Sequence, residues 1–219
     1  MNSEKFLSLA LAIHIAGGTI ALLIGLVAMF TLKGSKIHRL AGKIYFCGMT
    51  AVFVGAVIVA IGHRKDFLLM VGFFSYYMTV RGYRILFLKK LHQGQKASAL
   101  DWFIIFVSAL FILALLGWGL WGMTKGNGMA IVAFSFGAIG TSLLIGDVRK
   151  FISPPTDKMH WWYGHIASMG GSYISATTAF VVVNIELPQF QWILWLLPGL
   201  IGGIMIGRTI KKYKLQFAK

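Results

Sequence analysis

Six histidines stand in this chain, and four of them, His14, His38, His160 and His165, fall within or at the edge of long apolar stretches. An ionisable side chain in such surroundings is expensive and marks a site hypothesis. Imidazole nitrogen is a ligand for haem iron, zinc and copper. Three of the four share one spacing: His14-Ile-Ala-Gly-Gly18, His38-Arg-Leu-Ala-Gly42 and His160-Trp-Trp-Tyr-Gly164 all read His-x-x-x-Gly. Residues four apart lie on one helix face. A glycine one turn from a histidine removes the side chain that would keep a flat macrocycle away from the imidazole, which suits haem ligation. The same spacing also suits ordinary close helix packing, because glycine is frequent here, at 26 residues, and small residues let helices approach.

Depth limits which histidines can cooperate. At about 1.5 Å of rise per residue, His14 lies roughly 10 Å inside one face of a bilayer. His38 and His160 begin apolar stretches at the opposite face, with His165 about 7 Å deeper than His160. His38 with His160 or His165 can therefore clasp one ligand near that face, while His14 has no partner at its depth except His63. His160 and His165 are five apart and do not share a helix face; His165 shares one with Met169 and Ser172. A His/Met pair suits haem iron or copper, although gap filling is the usual work of methionine. His92, in a basic loop, and His63, beside Arg64 and Lys65, read as solvated.

Charged residues gather at the same depth. Tyr77, Arg81 and Arg84 form a polar stripe along one helix, and Arg81 lies about two turns inside, deep enough to need a partner. Arg39, Arg81 and Arg84 are candidate partners for propionates, a lipid phosphate or another anion. Asp147 and Asp101 are the acids within reach, so an Arg81–Asp147 structural pair is the competing expectation. Ser168, Ser172, Ser175, Thr177 and Thr178 line the helix of His165, as cavity-lining groups or as hydroxyls bonded to nearby carbonyls. Asp147 joins His14, His38, His160, His165 and Met169 as a candidate metal ligand. No Gly-x-Ser-x-Gly, His-Glu-x-x-His or Cys-x-x-Cys occurs in the chain, and the lone Cys47 has no intrachain disulfide partner.

The elements that must position these groups are membrane helices. The chain has 219 residues, 58% of them apolar and 12% charged, about half the charge of an ordinary soluble domain. That excludes a soluble globular protein, a disordered chain and a disulfide scaffold. A span needs about 20 apolar residues, and seven stretches qualify: residues 6–32, 39–62, 67–88, 101–123, 128–146, 160–184 and 188–207. The expected fold is an all-α polytopic bundle of seven transmembrane helices forming one domain. The formal charge of +15 reads as topology and not as a nucleic-acid footprint. Of the 21 basic residues, 17 fall on the side of the 1–2, 3–4 and 5–6 loops and the C-terminal tail, and only Lys5, Arg64, Lys65 and Lys125 fall on the other. The positive-inside rule then places the N-terminus outside and the C-terminus in the cytoplasm.

The segments His14-Ile-Ala-Gly-Gly-Thr and Lys33-Gly-Ser-x-x-His38-Arg39-Leu-Ala-Gly42-Lys-Ile-Tyr45 resemble the opening of the DUF2306 family of predicted bacterial membrane proteins. The resemblance covers about the first 50 residues and implies that His14, His38 and Arg39 are motif positions, in a bacterial inner membrane. The family's later His-Arg-x-Trp-Met segment has no clear counterpart here; Met159-His160-Trp161-Trp162 stands nearest to it.

The function expected from these residues is redox or electron transfer at a cytoplasmic-side site. Haem b or a transition metal would be held by His38 with His160 or His165, with Arg39, Arg81 and Arg84 as anion partners. An electron-transfer partner or a small-molecule ligand follows from that expectation. A zinc-dependent hydrolase using His38, His160, His165 and Asp147, a small-molecule transporter and a structural membrane subunit are the alternatives.

Overall fold

Each of the seven apolar stretches forms a helix, and no strand occurs among the described residues. The computed structural model describes residues 3–218; Lys219, counted above with the cytoplasmic-side charges, lies outside them. The helices are α1 (Ser3–Phe30), α2 (Lys36–Gly62), α3 (Asp66–Arg84), α4 (Ala99–Thr124), α5 (Ala130–Ile152), α6 (His160–Asn184) and α7 (Gln191–Phe217). Two short 3-10 turns, Ile85–Phe87 and Leu91–Gln93, join α3 to α4. Six helices are long and apolar enough to cross a membrane, which makes this a multi-pass membrane protein; α3 does not qualify.

The reason is the place of α3 in the bundle. The chain folds as three antiparallel hairpins, α1–α2, α4–α5 and α6–α7, and α3 packs against members of all of them, touching α2, α4, α5 and α6. Met70, Phe74, Tyr77, Met78, Thr79 and Gly82 of α3 are buried. A helix that faces protein on most sides can carry tyrosine, threonine and arginine where a lipid-facing helix carries leucine. The outer helices show the converse, with Ile15, Leu23, Phe103, Phe106, Leu200 and Met205 exposed.

Glycine sets the distance within the hairpins. A Cβ placed on Gly17 of α1 would lie 2.9 Å from the carbonyl oxygen of Gly48 on α2, and one on Gly119 of α4 would lie 2.4 Å from the backbone nitrogen of Phe134 on α5. Backbone meets backbone at both crossings, as expected where small residues drive helix association in lipid. Two helix starts are capped by side chains: the Ser35 hydroxyl accepts from the His38 amide at 3.1 Å, and Ser98 and Asp101 form a reciprocal capping box on α4. The starts of α2, α4 and α6 and the ends of α3 and α5 meet at one end of the bundle, the end that collects most of the lysines and arginines.

Candidate functional site

His38 lies in the first turn of α2 and His165 in the second turn of α6. Their rings come together with centroids 6.2 Å apart and planes at 78°. Each is anchored from outside the pair. The Nδ1 of His38 bonds the carbonyl of Ala28, near the end of α1, at 2.9 Å. The Nδ1 of His165 bonds the carbonyl of Gly82 on α3 at 2.8 Å. A carbonyl only accepts, so Nδ1 carries the proton in both rings. In the neutral form of each ring, Nε2 is then the free lone-pair nitrogen. An imidazole held by Nδ1–H to a backbone carbonyl is the usual support of a metal-bound histidine, because it fixes tautomer and orientation together.

The two helices carrying these rings do not pack closely on one another; side chains bridge them. Two turns further along both helices, Tyr45 and Ser172 repeat the juxtaposition, with their hydroxyls 2.8 Å apart. Ser172 also bonds Thr79 of α3 at 2.6 Å. His38 to Tyr45 and His165 to Ser172 are both steps of seven, so one face of α2 opposes one face of α6. On α2, between those two levels, Gly42 meets open space: a Cβ built there touches nothing within 4 Å. The other two His-x-x-x-Gly glycines differ from it. A Cβ on Gly164 would lie 3.3 Å from the Ile85 side chain, and one on Gly18 would lie 3.7 Å from Val52.

The remaining candidates fall elsewhere. His160 does not join His38; it faces His92, with ring centroids 6.0 Å apart, and both rings bond the carbonyl of Lys89. Nδ1 of His160 is buried without a partner. His14 bonds the Val52 carbonyl of α2 at 2.8 Å and ties the first hairpin together. Met169 packs in the cluster of Ala21, Tyr45 and Met49 and against Gly82. Arg39 is exposed. Among the described residues no third histidine, cysteine, aspartate or glutamate joins any of these groups to complete a set of three metal ligands.

Arg81, Arg84 and Asp147 belong to a separate polar layer between α3, α4, α5 and α6. Asp147 accepts from the Tyr77 hydroxyl at 2.7 Å, from Arg81 Nε at 2.6 Å and from Lys150 Nζ at 2.8 Å. Arg81 also donates to the Ser168 hydroxyl. Arg84 pairs with Asp101 at 2.6 Å and reaches Ser98. These groups line a cavity of about 30 Å³, room for one or two waters. Each acid here is held by cations of the same chain, so the layer satisfies itself.

Two residues at the site carried no distinctive sequence signal. Lys33, in the loop between α1 and α2, donates to the carbonyls of Ala28 and Met29, and partial burial pulls its pKa below the ordinary lysine value. Lys89 lies over the Trp161 ring, 4.2 Å from its centroid. The opposed faces of α2 and α6 were available in the sequence as a pair of seven-residue steps, each running from a histidine to a hydroxyl residue. No family model matches the chain, and no characterised protein or solved structure shows detectable similarity to it.

Proposed function

We propose that this protein is a membrane haem protein of b type, in which His38 and His165 are the axial ligands, and that it serves electron transfer. The observation that carries this reading is the ring pair itself, anchored on the outside by both Nδ1 atoms. With metal–nitrogen bonds of about 2.0 Å and a ring radius of about 1.2 Å, two imidazoles on opposite sides of one ion have centroids roughly 6.4 Å apart. The observed separation is 6.2 Å. A bare transition-metal ion is the weaker form of the reading, because tetrahedral sites take about three or four protein ligands and the structure assembles two. A macrocycle that fills the equatorial positions needs two. The open space at Gly42 suits a planar group beside His38.

Haem, when bound, supplies a reversible one-electron couple. The chain's own part is to fix two neutral imidazoles by their Nδ1 bonds and to hold them on helices rather than loops. An electron donor or acceptor at the cytoplasmic face follows from that placement. We include in the proposal a seven-span topology in a bacterial cell membrane, with α3 as the sheltered seventh span and the N-terminus outside. It is supported by the charge asymmetry of the loops and by the N-terminal resemblance.

The test is the visible spectrum of the purified full chain after expression with haem supply. A Soret band that shifts on dithionite reduction, and is lost in both His38→Ala and His165→Ala but kept in His160→Ala and His14→Ala, is the expected result. A colourless protein that also fails to take up added haem overturns the reading. So does a spectrum that survives loss of either His38 or His165.

A further inference from the structure

We infer that the group held between His38 and His165 carries two carboxylates, and that Lys33 and Lys89, rather than the arginines, receive them at the cytoplasmic rim. The inference rests on the haem reading above and extends it to the class of macrocycle and the way it is oriented.

The inner side of the histidine pair offers an acid nothing. Ala21, Tyr45 and Met49 are buried there with Met169 and Tyr173 packed against them. The hydroxyls present are already bonded: Tyr45 to Ser172, Ser172 to Thr79, and Tyr173 to the Leu22 carbonyl. A carboxylate buried without a partner is prohibitively unfavourable, so the polar edge of any bound macrocycle must turn toward the basic end.

Two cations stand there, Lys33 beside His38 and Lys89 one helical turn from His165. Lys33 and His38 bond the same carbonyl, that of Ala28. Lys33 spends two of its three N–H donors on Ala28 and Met29, which leaves one for a ligand. Lys89 lies over Trp161, and Trp161 is four residues before His165, one turn nearer the cytoplasm on the same face of α6. Arg81 and Arg84 are engaged by Asp147 and Asp101, and Arg39 is one residue from His38, about 100° around the helix from it.

The full-length protein, purified without haem, is titrated with ferric protohaem and with its dimethyl ester, which has the same ring and no charge. In wild type the diacid binds roughly tenfold or more tightly than the ester. Lys33→Gln and Lys89→Gln each weaken the diacid by roughly fivefold, the scale of an exposed ion pair, and raised salt weakens it as well. Ester affinity stays unchanged in both variants, which also reports that they fold. Equal affinity for diacid and ester in wild type, or an undiminished preference for the diacid in the double variant, overturns the inference and leaves the histidine ligation standing. If neither compound gives a spectrum that depends on His38, the haem reading itself has failed.

Discussion

The half of the bundle at its basic end contains two polar layers that solve the same problem in opposite ways. Around Asp147, a carboxylate accepts from Tyr77, Arg81 and Lys150, and every strong charge finds its partner within the chain. Around His38 and His165, each ring is tied to a backbone carbonyl by one nitrogen, and the other nitrogen of each ring has no protein partner among the described residues. A closed set of polar groups holds helices together. A half-satisfied set, positioned by its neighbours, leaves nitrogens for the ligand proposed above. The expectation that Arg81 and Arg84 serve an anion gives way to the first pattern, whereas the pairing of His38 with His165 follows the second.

The largest effect should come from breaking the closed layer. Asp147→Ala leaves Arg81 and Lys150 in a buried site without their carboxylate; the side chains of Arg81 and Asp147 are only 11% and 10% exposed. Removing one member of such a pair destabilises by about 3–5 kcal/mol. Thermal unfolding in detergent should show a fall of that order. His165→Ala, which removes one hydrogen bond and some packing, should lose far less stability and all of the haem spectrum. Equal destabilisation by the two substitutions would erase the distinction between the layers.

That distinction was only partly readable from residue order. Helix number and the apolar boundaries follow from composition, because lipid forces every span to satisfy its own backbone. The end of α3 did not follow: the apolar run continues to Leu88, but the helix stops at Arg84 and gives way to 3-10 turns that tuck Ile85, Leu88 and Leu91 together as a small core. The partner of His38 was undetermined between His160 and His165, since both lie near the right depth. It is decided by the azimuth of α6, which faces α2 with the residues 165, 169, 172 and 173 and leaves His160 to meet His92. Azimuth depends on how all the helices pack, and no single segment specifies it.

The three His-x-x-x-Gly matches sharpen the comparison, because spacing alone cannot separate a packing glycine from one that clears space. Gly164→Leu meets Ile85 at once, and overpacking of this kind destabilises by about 1–3 kcal/mol. At Gly42 the added Cβ meets nothing within 4 Å, and leucine there gains helix propensity of up to about 1 kcal/mol. The Gly42 variant should therefore unfold no earlier than wild type while its haem uptake falls sharply, and the Gly164 variant should unfold earlier. Unfolding midpoints and Soret absorbance measured on the same preparations check both. Normal haem uptake by Gly42→Leu would mean that the space beside His38 has no bearing on the ligand.

The smallest effect is expected two turns inward from the histidines, where the same faces of α2 and α6 meet through Tyr45 and Ser172. Ser172 is fully buried and bonded to both Tyr45 and Thr79, so Tyr45→Phe removes one bond and leaves Ser172 its other partner. The loss should be about 0.5–1.5 kcal/mol, with the haem spectrum intact, because Tyr45 only fastens α2 to α6 behind the ligand. A Tyr45→Phe protein of wild-type stability whose spectrum changes would place the tyrosine against the ligand instead. The ligand would then extend further into the bundle than the level of Gly42. Thr79→Val, which takes the second partner from Ser172, should add to Tyr45→Phe by more than the sum of the single losses, since only the double variant leaves that buried hydroxyl without its interhelical bonds.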